Sequence, residues 1–439
     1  MSRKLATATV LLLLLVMVGA PTGANAASKD QAYSDLSSLP KIEAYLNSIG
    51  IDLGSVVIQQ GQFNYAGPNC PGAGWNCTTA NKVVQLAPAV LPAANIVDCS
   101  PAVSVTFLGL DECVIVQSSV SSLVEADNDA LCDFQSASGD AKQKCRVKQS
   151  SKNGNNRMEV RMRITQRGES PQTAEQEATI DQVSGTGYNT AKIMQTIQQT
   201  LDTTQTAAVT QSQNARQAAT VSQMSTSGKN SSDVQQNHFQ DEAAKSDGSV
   251  MQEQNTDPSF GRNLEADVTQ TSTTGDIMSN LRQVIRQNQN ADSQAGCTVM
   301  CSQAQGNPSG GLDGKVTQST DDPGVLRSTS TQDERQIQDA TTAGTLMQTQ
   351  EGPEFCCSTQ NGGTPANVDT VSQSNIQHSD PGGEQSTLQE GTCSTTGGGD
   401  CTVSQTYTSN SGTTQQSLSG PAVFCARGGE SSGSCFGGD

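Results

Sequence analysis

The sequence predicts a mainly β fold, a repetitive β-solenoid of strand-turn-strand rungs with a small disulfide-stapled N-terminal module. Three observations carry this reading. Apolar and polar residues alternate strictly over long runs, an aliphatic-x-Gln step returns at a near-constant interval, and the cysteines are confined to the flanks of that repeat. The clearest run places Gly154, Asn156, Met158, Val160, Met162, Ile164 and Gln166 on one side, with Asn155, Arg157, Glu159, Arg161, Arg163 and Thr165 between them. Period two assigns each set to one face of a strand, whereas on a helix the same positions would scatter around the axis.

The chain opens with features of a secretory signal over residues 1–26. Arg3 and Lys4 form a basic start, Val10 to Val18 an apolar stretch, and Ala24-Asn25-Ala26 a small-residue cleavage site. The apolar run is shorter than the ~20 residues that a membrane span needs. The mature protein is therefore expected to be secreted, extracellular or at the cell surface, with no membrane span after signal removal.

Residues 27–145 read as the cysteine-containing N-terminal module. A short amphipathic helix is expected near Lys41 to Ile49, since Ile42, Tyr45, Leu46 and Ile49 share one helical face. Strands are expected at Val56–Gln59, Lys82–Gln85 and Val114–Gln117, and a bridge-pinned loop from Gly67 to Cys77. The disulfide candidates here are Cys70, Cys77, Cys99, Cys113, Cys132 and Cys145, whose pairing the sequence leaves open.

Residues 146–290 form the regular array. The Val/Ile-x-Gln step ends at Gln149, Gln166, Gln182, Gln199, Gln211, Gln223, Gln236, Gln252, Gln270 and Gln287, a mean interval of about 15 residues. Copies with a Gly-x-Asn turn (Gly154, Gly187, Gly228) tend to alternate with shorter ones, which suggests a two-strand unit of roughly 30 residues. The ten glutamines are expected to form a structural ladder. Inward amides cost desolvation unless paired, and amides stacked ~4.8 Å apart along the axis can bond to one another. The turn glycines are expected to supply φ > 0, which Asn also tolerates.

Residues 291–439 continue the pattern in diluted form, with Gly/Ser/Thr/Asp-rich loops and a loop-rich tail. Cys297, Cys301, Cys393, Cys401, Cys425 and Cys435 are the disulfide candidates of this region, with Cys297/Cys301 and Cys393/Cys401 as close staples.

Composition narrows the function. The formal charge of −18 becomes −20 once Arg3 and Lys4 leave, because 43 acidic residues then face two fewer of the 25 basic ones. That argues against nucleic acid and anionic lipid as partners, since both need a cationic face, and leaves room for calcium or a cationic polymer. Apolar residues make up 33% and aromatics 3%, too few for one conventional core. Only His238 and His378 are available for histidine chemistry, and His238 is expected on a surface loop. No nucleotide loop, nucleophile elbow or calcium hand is recognisable. No catalytic, cofactor-binding or metal site is expected, and no cofactor beyond weak Ca2+ binding at acidic turns such as Asp127/Asp129 and Asp321/Asp322. Trp75 is the single tryptophan, which argues against an aromatic sugar-binding platform.

The stretch from Gln182 to Gln195, Gln-x4-Gly-x-Asn-x-Ala-x-Ile-x-Gln, resembles the curlin repeat of bacterial curli fibres. Gln149-x4-Gly154-x-Asn156 and Gln223-x4-Gly228-x-Asn230 match its opening half. The resemblance covers about residues 146–290 and implies stacked strand-turn-strand units with a capacity for fibre or matrix formation. The spacing here is less regular than in curlin units, and the cysteines are a departure.

The expected function is that of a secreted, non-enzymatic structural protein whose stacked repeats contribute to an extracellular fibre, matrix or coat. Its expected partners are further copies of itself or cell-surface and matrix polymers. Two alternatives stand beside it. One is a monomeric solenoid that binds polysaccharide or ice through outward residues such as Thr165, Thr196, Thr210, Ser222 and Thr269. The other is a disordered Gln/Ser/Thr-rich spacer.

Overall fold

The computed structural model describes residues 39–87, 93–99, 110–119, 126–137, 140–168, 170–256, 263–293, 301–306, 311–321, 324–342, 346–361, 367–380, 384–396, 399–409, 414–419 and 424–426. Residues 1–26, read above as a signal segment, lie outside these.

Strands dominate, and they alternate between two all-parallel sheets. Sheet A is built from β1 (Val57–Gln60), β4 (Lys82–Ala87), β6 (Leu110–Ser119), β8 (Asp140–Ser151), β10 (Gln172–Ser184) and β12 (Val209–Ser225). It continues through β14 (Val250–Gln254) with β15 (Leu264–Ser272), then β17 (Cys301–Gln305) with β18 (Leu312–Thr320), β20 (Leu346–Asn361) and β22 (Glu384–Thr396). It ends at β24 (Thr414–Ser419) and β25 (Phe424–Ala426). Sheet B holds β3 (Asn76–Thr78), β2 (Phe63–Ala66), β5 (Ala93–Cys99), β7 (Ala126–Ser136), β9 (Asn156–Arg167), β11 (Asn189–Gln205) and β13 (Asn230–Ser246). β16 (Ile277–Ser293), β19 (Leu326–Thr342), β21 (Asn367–Asp380) and β23 (Gly399–Ser409) complete it.

One strand from each sheet makes a rung, and each rung covers the backbone edge of the one before it, so pairing satisfies the main-chain donors and acceptors. The core lies between the sheets. Ile115, Val147, Ile180, Val221, Val268 and Val316 of sheet A pack with Cys132, Val160, Ile193, Val234 and Leu281 of sheet B. Burial alternates residue by residue, as in β9 and β11, which is the period-two pattern made physical.

The rungs widen along the chain. β9 has 12 residues, whereas β11, β13, β16 and β19 have 17 each. The added width sits at one margin, where Val209, Ala244, Val250, Ala291 and Cys301 form a second apolar cluster. In the widened part of sheet A, β14 and β15 together face the single strand β12, with Asn255 at φ 55 where β14 ends.

The N-terminal end is finished by its own elements. Helix α1 (Leu39–Ser48) lays Ile42 and Leu46 on Val84, Val114 and Val116, which point outward from sheet A. This is the helix expected from the spacing of Ile42, Tyr45, Leu46 and Ile49. At the edge of sheet B, β3 pairs with β2, and Trp75 packs on Phe63 and Tyr65 with ring centroids 5.3 and 6.4 Å apart.

Candidate functional site

What the repeat builds is a set of amide columns inside the sandwich. The longest runs through Gln59, Gln85, Gln117, Gln149, Gln182, Gln223, Gln270, Gln318 and Gln360, each stacked on the next by strand register. Eight side-chain hydrogen bonds of 2.6–3.0 Å connect them, and in each the later Nε2 donates to the preceding Oε1. Successive members are 26, 32, 32, 33, 41, 47, 48 and 42 residues apart in sequence, so the column tolerates rungs of very different length.

A second column has the opposite polarity. Asn76, Asn64, Asn95, Asn128, Asn156, Asn189 and Asn230 are joined by six bonds of 2.8–3.3 Å, with each Nδ2 donating forward. The two columns also clamp the turn between them. Gln182 donates to Thr190 O, and Gln223 to Ser231 O, each one residue after the column asparagine. In return Asn156 donates to Val183 O, and Asn189 to Met224 O, each one residue after the column glutamine. A buried primary amide thus uses both N–H groups and its carbonyl, which removes the desolvation penalty that makes buried Gln and Asn costly.

The ten repeat glutamines are distributed over several such columns. Gln149, Gln182, Gln223 and Gln270 belong to the long one. Gln166, Gln199 and Gln287 stack with Gln240 and Gln336 in sheet B. Gln211 and Gln252 stack with Gln303 and Gln348 in sheet A. Gln236 belongs with Gln195, Gln283, Gln332 and Gln373 in sheet B. From Gln149 to Gln199 the step alternates between sheets, whereas in the wider rungs two successive copies, Gln211 with Gln223 and Gln252 with Gln270, fall on sheet A before the chain crosses to sheet B; like stacks on like only one full rung later.

The turn glycines have a different role from the one expected. Gly154, Gly187, Gly228, Gly275 and Gly324 are absent from the positive-φ positions, and so are Asn156, Asn189 and Asn230. They stack directly instead. A Cβ on Gly187 would meet Gly154 O at 1.9 Å, one on Gly228 would meet Gly187 O at 1.8 Å, and one on Gly275 would meet Gly228 O at 1.9 Å. Glycine is required because consecutive turns touch backbone to backbone. Serines two residues after the glutamine brace the same turn: Ser184 Oγ donates to Gly187 O, Ser225 Oγ donates to Gly228 O, and Ser151 Oγ accepts from Gly154 N–H.

The N-terminal disulfides are Cys70–Cys77, Cys99–Cys113 and Cys132–Cys145. The first pins the loop that carries Trp75. The other two cross the core from sheet B to sheet A on consecutive rungs, since Cys99 stacks on Cys132 and Cys113 on Cys145. Cys301 is also disulfide-bonded. Cys393, Cys401 and Cys425 lie on β22, β23 and β25, while Cys297 and Cys435 fall outside the described residues.

Among the described residues, one histidine and three carboxyl groups point inward, against the expectation for the histidine. His238 is not on a surface loop: its inward position on β13, between Ile197 and Ile285 in the stack, buries it fully. Burial lowers its pKa to about 3, so the ring is neutral. Burial also raises Glu334 to about 8, aided by Asp333, and pushes Glu242 well above the usual carboxylate range. Asp369 is raised for the same reason, although Ser328 and Ser358 bond to it. The signal missed was phase: His238 continues the alternation of Val234 and Gln236.

The outer faces divide by chemistry. On sheet A, every basic residue of β8 has a carboxylate partner on a neighbouring rung: Lys142 with Glu175, Lys144 with Glu177, Arg146 with Glu177 and Glu112, Lys148 with Asp181. Ser222, Thr269, Thr317 and Thr359 form a hydroxyl row beside them. Thr165 and Thr196 also face outward, half-buried, and Thr210 is exposed. Asp129 is raised by burial and by Asp127, which is the behaviour of crowded carboxylates. Among the described residues, no helix is long and apolar enough to cross a membrane.

Fold and interior together define a parallel, two-sheet β-solenoid with an amide-laddered core. No family model, no curated protein and no solved structure matches the chain.

Proposed function

We propose that this chain is an exported, non-enzymatic structural protein, a stiff β-solenoid rod that serves in an extracellular matrix, fibre or coat. The observation that carries the proposal is the unbroken nine-glutamine column. Its members share no catalytic chemistry, and their amides bond to the adjacent members of the column and to main-chain carbonyls of the facing sheet. Selection for such a column is selection for continuous stacking. The disulfides agree with an oxidising compartment, and the curlin-like spacing agrees with an architectural role.

The N-terminal end favours a rod of limited length over end-to-end fibre growth. A strand edge left open would template another chain, but β3 and the Cys70–Cys77 loop cover that edge of sheet B. Electron microscopy of the mature protein, with and without reductant, tests the proposal. Discrete rods are expected in the oxidised protein. Random-coil circular dichroism with rapid proteolysis of residues 146–290 would defeat it, and long filaments would shift it toward fibre formation.

A further inference from the structure

Sheet B carries an outward feature that the rod does not need. Gln198, Phe239, Arg286, Arg335 and Ile376 stack in one outward column on five consecutive strands. Phe239, Arg286 and Arg335 line a shallow depression of about 370 Å3, with Thr200, Asn288 and Ile337 on its other side. Phe239 is half-buried, and both arginines are exposed.

Charge makes this column unusual. Two guanidinium groups one strand apart, ~4.8 Å at the backbone, repel each other. In a chain with 43 acidic residues a carboxylate partner would be easy to supply, and on β8 of sheet A each of the four bases has one. Here neither Arg286 nor Arg335 has an ion pair among the described residues. The depression also holds two carboxylates, and neither pairs with the arginines: Asp241 accepts from Asn288 Nδ2 at 2.9 Å, and Asp339 lies 3.7 Å from His378 Nε2.

We propose that the Phe239–Arg286–Arg335 column binds a carboxylated sugar unit of an acidic polysaccharide. Two stacked guanidinium groups present parallel N–H donors to one carboxylate. Phe239, one rung away in the same line, offers a flat apolar face to the C–H side of the ring. Thr200 and Asn288 stand beside it as hydroxyl partners. The aromatic surface comes from Phe239 and not from Trp75, which is packed on Phe63 and Tyr65. This deepens the matrix reading by naming the class of polymer that the rod would hold.

Binding of the full mature protein to polygalacturonate and to neutral dextran, measured by affinity electrophoresis at two salt concentrations, tests the site. Salt-sensitive retention by polygalacturonate is expected, with little by dextran. Arg286→Gln/Arg335→Gln should weaken it by about tenfold or more, and the matching Lys/Lys variant by less, because lysine keeps the charge without the fork. Phe239→Leu, a change confined to the outer face, should weaken it with the strands intact by circular dichroism. Arg157→Gln/Arg163→Gln removes the same charge from β9 and should leave binding unchanged. Absence of wild-type retention, or equal loss in the β9 control, would overturn the proposal. Rods seen by microscopy in those same samples would leave the structural reading standing.

Discussion

The rungs before Arg167 and those after Asn189 solve the same problem with different chemistry. The early rungs are narrow, and two disulfides cross their core beside Phe134, Met158 and Met162. The later rungs are wider, and amides occupy positions that were apolar before them. Phe134 stacks on Met162, Met162 on Gln195, and glutamine then fills that column through Gln373. A short stack cannot rely on ladders alone, since each ladder has ends where amides lack identical neighbours; Gln195 meets Met162 Sδ at 3.8 Å for this reason. The start of the stack therefore adds covalent staples and apolar burial to the glutamine and asparagine columns that already run through it, and its continuation adds further amide columns.

The largest expected effect strikes both regions through the turn they share. Gly228→Ala places a Cβ where Gly187 O would be 1.8 Å away, and backbone cannot yield as a side-chain tip can. A loss on the order of 4–5 kcal/mol is expected in denaturant melts, with new protease cleavage near Thr226 and Ser227. A loss under ~1 kcal/mol would show that the stacked turns are not in contact.

Removing the staples separates the regions. Cys132→Ala/Cys145→Ala opens a link of sequence separation 13, and Cys99→Ala/Cys113→Ala one of 14. Each is expected to cost about 3 kcal/mol, confined by hydrogen exchange to strands before β10. Register predicts the counterpart at the far end. Ser358 and Asp369, which meet across the core through Ser328, are followed in their columns by Cys393 and Cys401. Non-reducing peptide mapping should recover Cys393 joined to Cys401.

The amide columns give the next smaller effect. Gln223→Met keeps the side-chain length but deprives Gln182 Oε1, Gln270 Nε2 and Ser231 O of their partner. A cost on the order of 3 kcal/mol is expected, against about 1 kcal/mol for Ile180→Val two positions before Gln182 in the neighbouring apolar column. Equal costs would mean that the ladder adds nothing to ordinary packing.

Much of this fold was legible because a period of two survives any change of rung length. Met158 to Gln166 and Ile193 to Gln199 each declare a face without reference to the rest of the chain. Helix α1 and the bridge-pinned loop from Gly67 to Cys77 were legible for the same reason, although the sequence left the cysteine pairing open. What was hidden depends on register between distant strands. The same aliphatic-x-Gln step serves both sheets, so nothing local says that Gln149 stacks on Gln182 and not on Gln166. Glycine was misjudged because its constraint lies in the neighbouring rung and not in its own φ. Phe239, Arg286 and Arg335 are 47 and 49 residues apart in register, beyond any motif window.

Acidity offers the finest test, because the two regions should respond to pH with opposite sign. Glu334 has a folded pKa of about 8 against an ordinary 4.5, through burial and then Asp333. Its contribution is complete below pH 4.5 and is lost as pH rises through about 8, where the folded chain must give up a proton from a buried site. In the narrow rungs Glu177 behaves otherwise. Burial alone would raise its pKa, but Lys144 and Arg146 outweigh burial and hold it below the ordinary value, so its contribution persists on alkalinisation and is lost on acidification. His238 adds a limit on the acid side of the wide rungs: held to about 3 by burial, it stabilises fully above 6.5 and ceases to as pH falls through about 3. Raising the pH from about 6 to about 9 should therefore lower the amide protection factors of β19, taken after correction for the base-catalysed intrinsic rate, while leaving those of β9 and β10 unchanged. Glu334→Gln should abolish that change in β19, since a neutral amide has no proton to lose. If β9 and β19 loosen together, the wide rungs are not an independent region, and the contrast between stapled start and laddered continuation is one of composition alone.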